Sequence, residues 1–107
     1  MKGVALEAVD VLGWREDLPE PMAATGEVLV NVSACALNRL DLWIRRGQRG
    51  NTPFPHVMGS DVCGTVEGTG RKVILFPGLP GNGILGLQRW GGYAERLSVP
   101  EASTPRL

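Results

Sequence analysis

The chain has 107 residues, 43% of them hydrophobic and 21% charged, a balance that suits one globular domain and excludes disordered, collagen-like and membrane-spanning classes. Eleven Lys and Arg offset eleven Asp and Glu, so no net field draws nucleic acid or an anionic membrane to the surface. The one basic cluster, Arg45, Arg46 and Arg49, reads as a solvated helix end.

In chain order, the first segment reaches Glu7 before a signal-peptide apolar run can form, and no stretch approaches the ~20 apolar residues of a membrane span. The expected location is therefore the cytoplasm, where Cys35 and Cys63 are expected to be reduced thiols buried in the core. Lys2 to Val9 predicts a first strand, and the region of Trp14 a second after a turn at Gly13. Leu18-Pro19-Glu20-Pro21 reads as extended linker, because proline disfavours the helical conformation in the residue before it. Glu27 to Ala36 is the clearest half-buried strand, with Val28, Val30 and Val32 on one face and Leu29, Asn31 and Ser33 on the other. A short helix follows: Asn38 is a good N-cap, Asp41 lies near the positive end of the helix dipole, and Gly47 is the stop. After a proline-rich loop over Asn51 to Pro55, strands are predicted over Gly59 to Glu67 and Lys72 to Phe76, joined by a tight turn at Gly68-Thr69-Gly70. Pro77 to Arg89 is a glycine-rich lobe without clear periodicity. Tyr93 to Val99 is the last strand, and Pro100 to Leu107 trails off like a linker. With fifteen Gly and eight Pro punctuating short apolar runs, the expected class is mainly β, a barrel or sandwich with one or two short helices.

Gly81-Asn82-Gly83-Ile84-Leu85-Gly86 is a literal G-x-G-x-x-G. The dinucleotide fingerprint works because a strand turns sharply into a helix whose amides hold the pyrophosphate. Here Gly78-Leu79-Pro80 separates strand from motif and Trp90-Gly91-Gly92 interrupts any helix, so the segment reads as a flexible loop. A catalytic zinc needs three protein ligands, and the soft ligands total two Cys and one His without C-x-x-C or H-x-x-x-H spacing. His56, between Pro55 and Val57, reads as a loop anchor. With a single His, no nucleophilic triad can be built elsewhere.

Three segments in order, Ala36-Leu37-Asn38-Arg39-Leu40-Asp41-Leu42-Trp43-Ile44-Arg45-Arg46-Gly47, Pro55-His56-Val57-Met58-Gly59-Ser60-Asp61-Val62-Cys63-Gly64-Thr65-Val66 and Trp90-Gly91-Gly92-Tyr93-Ala94-Glu95, resemble signatures of the medium-chain dehydrogenase/reductase superfamily. The resemblance implies a GroES-like, partly open β-barrel that shapes a substrate pocket, with the Rossmann domain that binds NAD or NADP absent from residues 1–107. Zinc-dependent members carry Cys at the position of Asn38 and His at that of Ser60, and the lobe that holds four structural Cys in many relatives has none here, so zinc is not expected. Asn38 resembles the zinc-free quinone-oxidoreductase branch, where it would face the nicotinamide and the substrate carbonyl and donate a hydrogen bond to the oxygen that gains charge. Arg39 would reach the cofactor pyrophosphate and Trp43 would line the pocket. Catalytic candidates are thus Asn38 and Ser60, and cofactor-binding candidates are Arg39, Asn38 and Trp43. Each has a second reading: Asn38 and Asp41 as a helix cap, Trp43 as core, Ser60 and Asp61 as polar residues satisfying a turn.

The chain alone is expected to hold no cofactor and to be catalytically incomplete, with NAD(P)H implied for a full-length protein. Expected partners are a small carbonyl or quinone substrate and a nucleotide-binding domain in a longer chain or in trans, with room for a homodimer. The reading from another class is a free-standing GroES-like interaction module without redox activity.

Overall fold

The computed structural model describes residues 1–49, 52–81 and 83–105. Strand β3 (Glu27–Ala36) is its spine, paired antiparallel with β4 (Asp61–Val66) on one side and β8 (Arg96–Pro100) on the other. With β5 (Lys72–Ile74) outside β4, the main sheet runs β5-β4-β3-β8, and its two edges do not pair with each other. The valine alternation performs as expected. Val30 is fully buried and Val28 and Val32 turn the same way, into a core with Val62, Val66, Val73, Leu75, Leu85, Leu97 and Val99. Burying side chains of this size contributes about 1.5–3 kcal/mol each, which makes this cluster the main stabilising element.

Two smaller pieces cover the ends. Strands β1 (Gly3–Ala8) and β2 (Val11–Arg15) form a hairpin tied on through isolated bridges Gly3 to Ala94 and Leu6 to His56. Strands β6 (Gly78–Leu79) and β7 (Gly83–Ile84) make a second, short hairpin. The result is a mainly β, partly open barrel whose described residues include one α-helix, α1 (Arg39–Arg45), and one 3-10 turn at Glu101–Ser103.

Several expectations change in detail. The first turn falls at Val9 and Asp10 instead of Gly13, because Asp10 adopts a positive φ of 61°, a conformation that Asp tolerates. The glycine-rich lobe contains the β6–β7 hairpin and plants fully buried Leu85 in the main core, so it is neither structureless nor a helix N-terminus. Asn82 of the G-x-G-x-x-G lies outside the described residues, as do Asn51 of the proline-rich loop and the last two residues of the tail. That tail is not a trailing linker as far as Pro105: Ser103 and Thr104 are buried, and Arg71 donates to the carbonyl and the hydroxyl of Thr104, each at 3.1 Å.

Gly59 shows why one backbone crossing demands glycine. Its φ is +112°, and a Cβ there would stand 2.8 Å from the Gly92 nitrogen and 2.9 Å from the Tyr93 ring. The positive φ and the close approach of the Gly92–Tyr93 backbone both exclude a side chain.

Candidate functional site

A register shift in β3 between Val32 and Ala34 creates the rim of the site. Up to Val32 the even-numbered residues face the core; beyond the bulge Cys35 is the residue opposite buried Val62. Bulges re-aim side chains in this way. Residues Ser33 to Ala36 then emerge from the barrel and are exposed. Cys35 is among them, a free thiol at the open end instead of the core residue expected, whereas Cys63 is half-buried and also free.

The chain then enters α1 through Asn38, which is extended at φ −129° and ψ 148°. Its Oδ1 accepts from the Leu40 N–H at 3.0 Å, and its own N–H donates to Asp41 Oδ2 at 3.0 Å, closing a capping box. Asp41 is only 5% exposed. The same Oδ2 also accepts the Tyr93 hydroxyl at 2.5 Å, while Oδ1 is buried without a partner among the described residues. From the other side, Asn38 Nδ2 donates to Asp61 Oδ2, 3.1 Å away at the start of β4. Flipping the amide would set its NH2 against the Leu40 N–H and its oxygen against a carboxylate, so the two contacts together assign it.

Burial first, then the hydrogen bond to Asp41, pushes the Tyr93 phenol far above its ordinary value, so it stays a protonated donor. Desolvation and then the charge of Asp41 likewise push the Cys35 thiol up, which suppresses the reactive thiolate.

Helix α1 sorts the other candidates. Leu40 and Ile44 face inward against Leu6 and Met58. Arg39 and Trp43, one turn apart, are exposed, and Arg39 forms no hydrogen bond or ion pair with its side chain among the described residues. Trp43 is therefore not core. Ser60 is set apart from this group: it is 3% exposed and its Oγ donates to the Leu85 carbonyl at 2.7 Å, tying the lobe to the barrel. The residue that reaches Asn38 is its neighbour Asp61. His56, also buried, meets the Gly86 carbonyl through Nε2 at 2.7 Å, the anchoring role expected of it.

Beside the cap lies an open cleft of about 610 Å³, walled mainly by Leu12, Trp14, Cys35, Leu37 and Tyr93. Tyr93 belongs to both, lining the cleft while its hydroxyl holds Asp41. The cleft is predominantly apolar, and Trp14 and Leu37 are 62% and 87% exposed. Sequence reasoning missed Asp61 as a partner of Asn38 and Tyr93 as a partner of Asp41. The alternation of Leu12 and Trp14 was the available signal for the cleft wall.

Asn38 and Ser60 are the two positions that bear on zinc. Among the described residues no three His, Cys, Asp or Glu side chains converge, and the side chains at the two relevant positions are an amide committed to a cap and a hydroxyl committed to a carbonyl.

Residues 24–107 match the family profile described as the alcohol dehydrogenase GroES-like domain. The quinone oxidoreductase of Rattus norvegicus is 34% identical over 99 residues, covering 90% of this chain and 30% of that protein. A crystal structure of an NAD-dependent alcohol dehydrogenase superposes with a TM-score of 0.89 at 36% identity, over 98% of this chain and 39% of the other. The quinone oxidoreductase of Thermus thermophilus, solved also in complex with NADPH, gives 0.78 at 34% identity, over all of this chain and 32% of that one. This chain thus spans well under half the length of those proteins. By its matched region and its barrel, the chain belongs to the alcohol dehydrogenase GroES-like domain family, the N-terminal domain of the medium-chain dehydrogenase/reductases.

Proposed function

We propose that this chain is the substrate-side domain of a zinc-independent, NAD(P)H-dependent alcohol dehydrogenase or quinone-oxidoreductase-like protein, acting on a small carbonyl or quinone. The observation that carries the reading is Asn38: an exposed amide, fixed in orientation by Leu40 and Asp61, next to an apolar cleft. Bound NAD(P)H supplies hydride. What Asn38 contributes is an N–H donor for the oxygen that gains negative charge, an interaction that strengthens toward the transition state. The guanidinium of Arg39, without a partner among the described residues, suits a phosphate, and exposed Trp43 offers a flat apolar surface on the same helix face. Ser60 acts at one remove by holding the lobe. Leu12, Trp14 and Leu37 recognise an apolar substrate body by shape and exclude water from it.

The similarity to quinone oxidoreductases and to an NAD-dependent alcohol dehydrogenase supports this reading, and the donor set at Asn38 and Ser60 supports its zinc independence. Hydride transfer also requires a seat for the dinucleotide, and the G-x-G-x-x-G that would suggest one here runs through a β-hairpin instead of a strand-to-helix turn. A nucleotide-binding domain, in a longer chain or in trans, is therefore the implied partner. Mixing the chain with the nucleotide-binding domain of a relative is expected to yield quinone-dependent NADPH oxidation that neither part shows alone. Silence at high concentrations of both would count against the proposal.

A further inference from the structure

Asn38 is exposed, yet most of its hydrogen-bonding groups already have partners. Its backbone N–H is held by Asp41 at 3.0 Å, its backbone oxygen by the Asp41 N–H at 2.9 Å, and its Oδ1 by the Leu40 N–H at 3.0 Å. One Nδ2 hydrogen goes to Asp61 Oδ2 at 3.1 Å. What is left is the other Nδ2 hydrogen, which has no partner among the described residues. We infer that Asp61 is a positioning residue: it fixes the plane of the Asn38 amide, so that the remaining Nδ2 hydrogen is held in one direction for the accepting oxygen of an outside molecule.

The two partners of the side chain play different parts. Leu40 belongs to the helix and senses only the oxygen, which a simple cap would satisfy with the planar amide still free to turn about its χ2 bond. Asp61 comes from β4, 23 residues away, and adds the second point needed to fix the amide plane. A carboxylate has acceptors only, so it cannot satisfy the opposite amide orientation. Core burial of Val62, the next residue of β4, holds Asp61 at the start of that strand.

This inference rests on reading Asn38 as the substrate-facing donor, but its test does not require turnover. In the 15N-labelled chain, the two Nδ2 protons of Asn38 are expected to differ, one shifted downfield and exchanging about fivefold to tenfold more slowly than the other, as a hydrogen bond of ordinary net strength gives. Asp61→Ala is expected to reduce that difference to the one a free primary amide shows while the Leu40 backbone amide keeps its protection, and Asp61→Asn, whose amide oxygen still accepts, is expected to restore most of it. Equal exchange of both protons in the unaltered chain overturns the inference before any variant is made. So does an unchanged Asn38 side-chain signal in Asp61→Ala. If the signature follows Asp61 as stated but Asn38→Ala is silent in a reconstituted oxidoreductase, the positioning role stands and the proposed activity fails.

Discussion

Within a few ångströms, three side chains at the mouth of the barrel divide the work. Asp41 ties the start of α1 to Tyr93, Asn38 ties it to Asp61, and Arg39 is left outward. Replacing Asp41 by Ala removes the capping box and leaves a part-buried phenol without its acceptor, so urea titration should show a loss of about 1–3 kcal/mol. His56 carries the pH dependence. Burial pushes its imidazole below the ordinary value of 6.5, against a smaller opposing effect from the Gly86 carbonyl. The unfolded chain therefore takes up the proton first, so stability is full above pH 6.5 and is lost as pH falls from there toward the folded value. Melting temperature should fall as pH falls through this window, and His56→Gln should flatten that dependence. Asn38 and Asp41 were legible from spacing because capping is local in sequence. Asp61 and Tyr93 were not, because their contacts span 23 and 52 residues.

Among the elements, those defined by their own periodicity were legible and those defined by a neighbour were not. Val28, Val30 and Val32 announce β3 and its buried face, and its range from Glu27 to Ala36 matches the structure. The bulge after Val32 left no mark in the sequence, and it is what moves Cys35 from an expected core position to the exposed rim. The tail read as linker because Pro100 and Pro105 break any pattern, whereas its order comes from Arg71, a residue 33 positions upstream. Close backbone crossings are equally hidden, and Gly59 is the test. Gly59→Ala combines a positive φ with contacts of 2.8–2.9 Å to Gly92 and Tyr93, and is expected to cost at least about 2 kcal/mol by chemical denaturation. Gly26→Ala, equally positive in φ at +82° but with nothing within 4 Å, should cost clearly less.

Across the whole molecule the barrel presents more apolar surface than its own core requires. Leu12, Trp14, Leu37, Leu42 and Trp43 are all 40% exposed or more, and the first three line one cleft. Among the described residues no helix is long and apolar enough to cross a membrane. The cleft is lined by Leu37, the residue before Asn38, and the chain spans about a third of the length of the quinone oxidoreductases it matches. The central claim is that Asn38, without zinc, stabilises the developing negative charge. The most direct measurement is quinone-dependent NADPH oxidation by this chain joined to a relative's nucleotide-binding domain, in the presence of a zinc chelator. The account predicts that activity survives the chelator and that Asn38→Ala lowers kcat about 10²–10³-fold with a small change in KM. Loss of activity on chelation, or an Asn38→Ala protein as fast as the original, would contradict it.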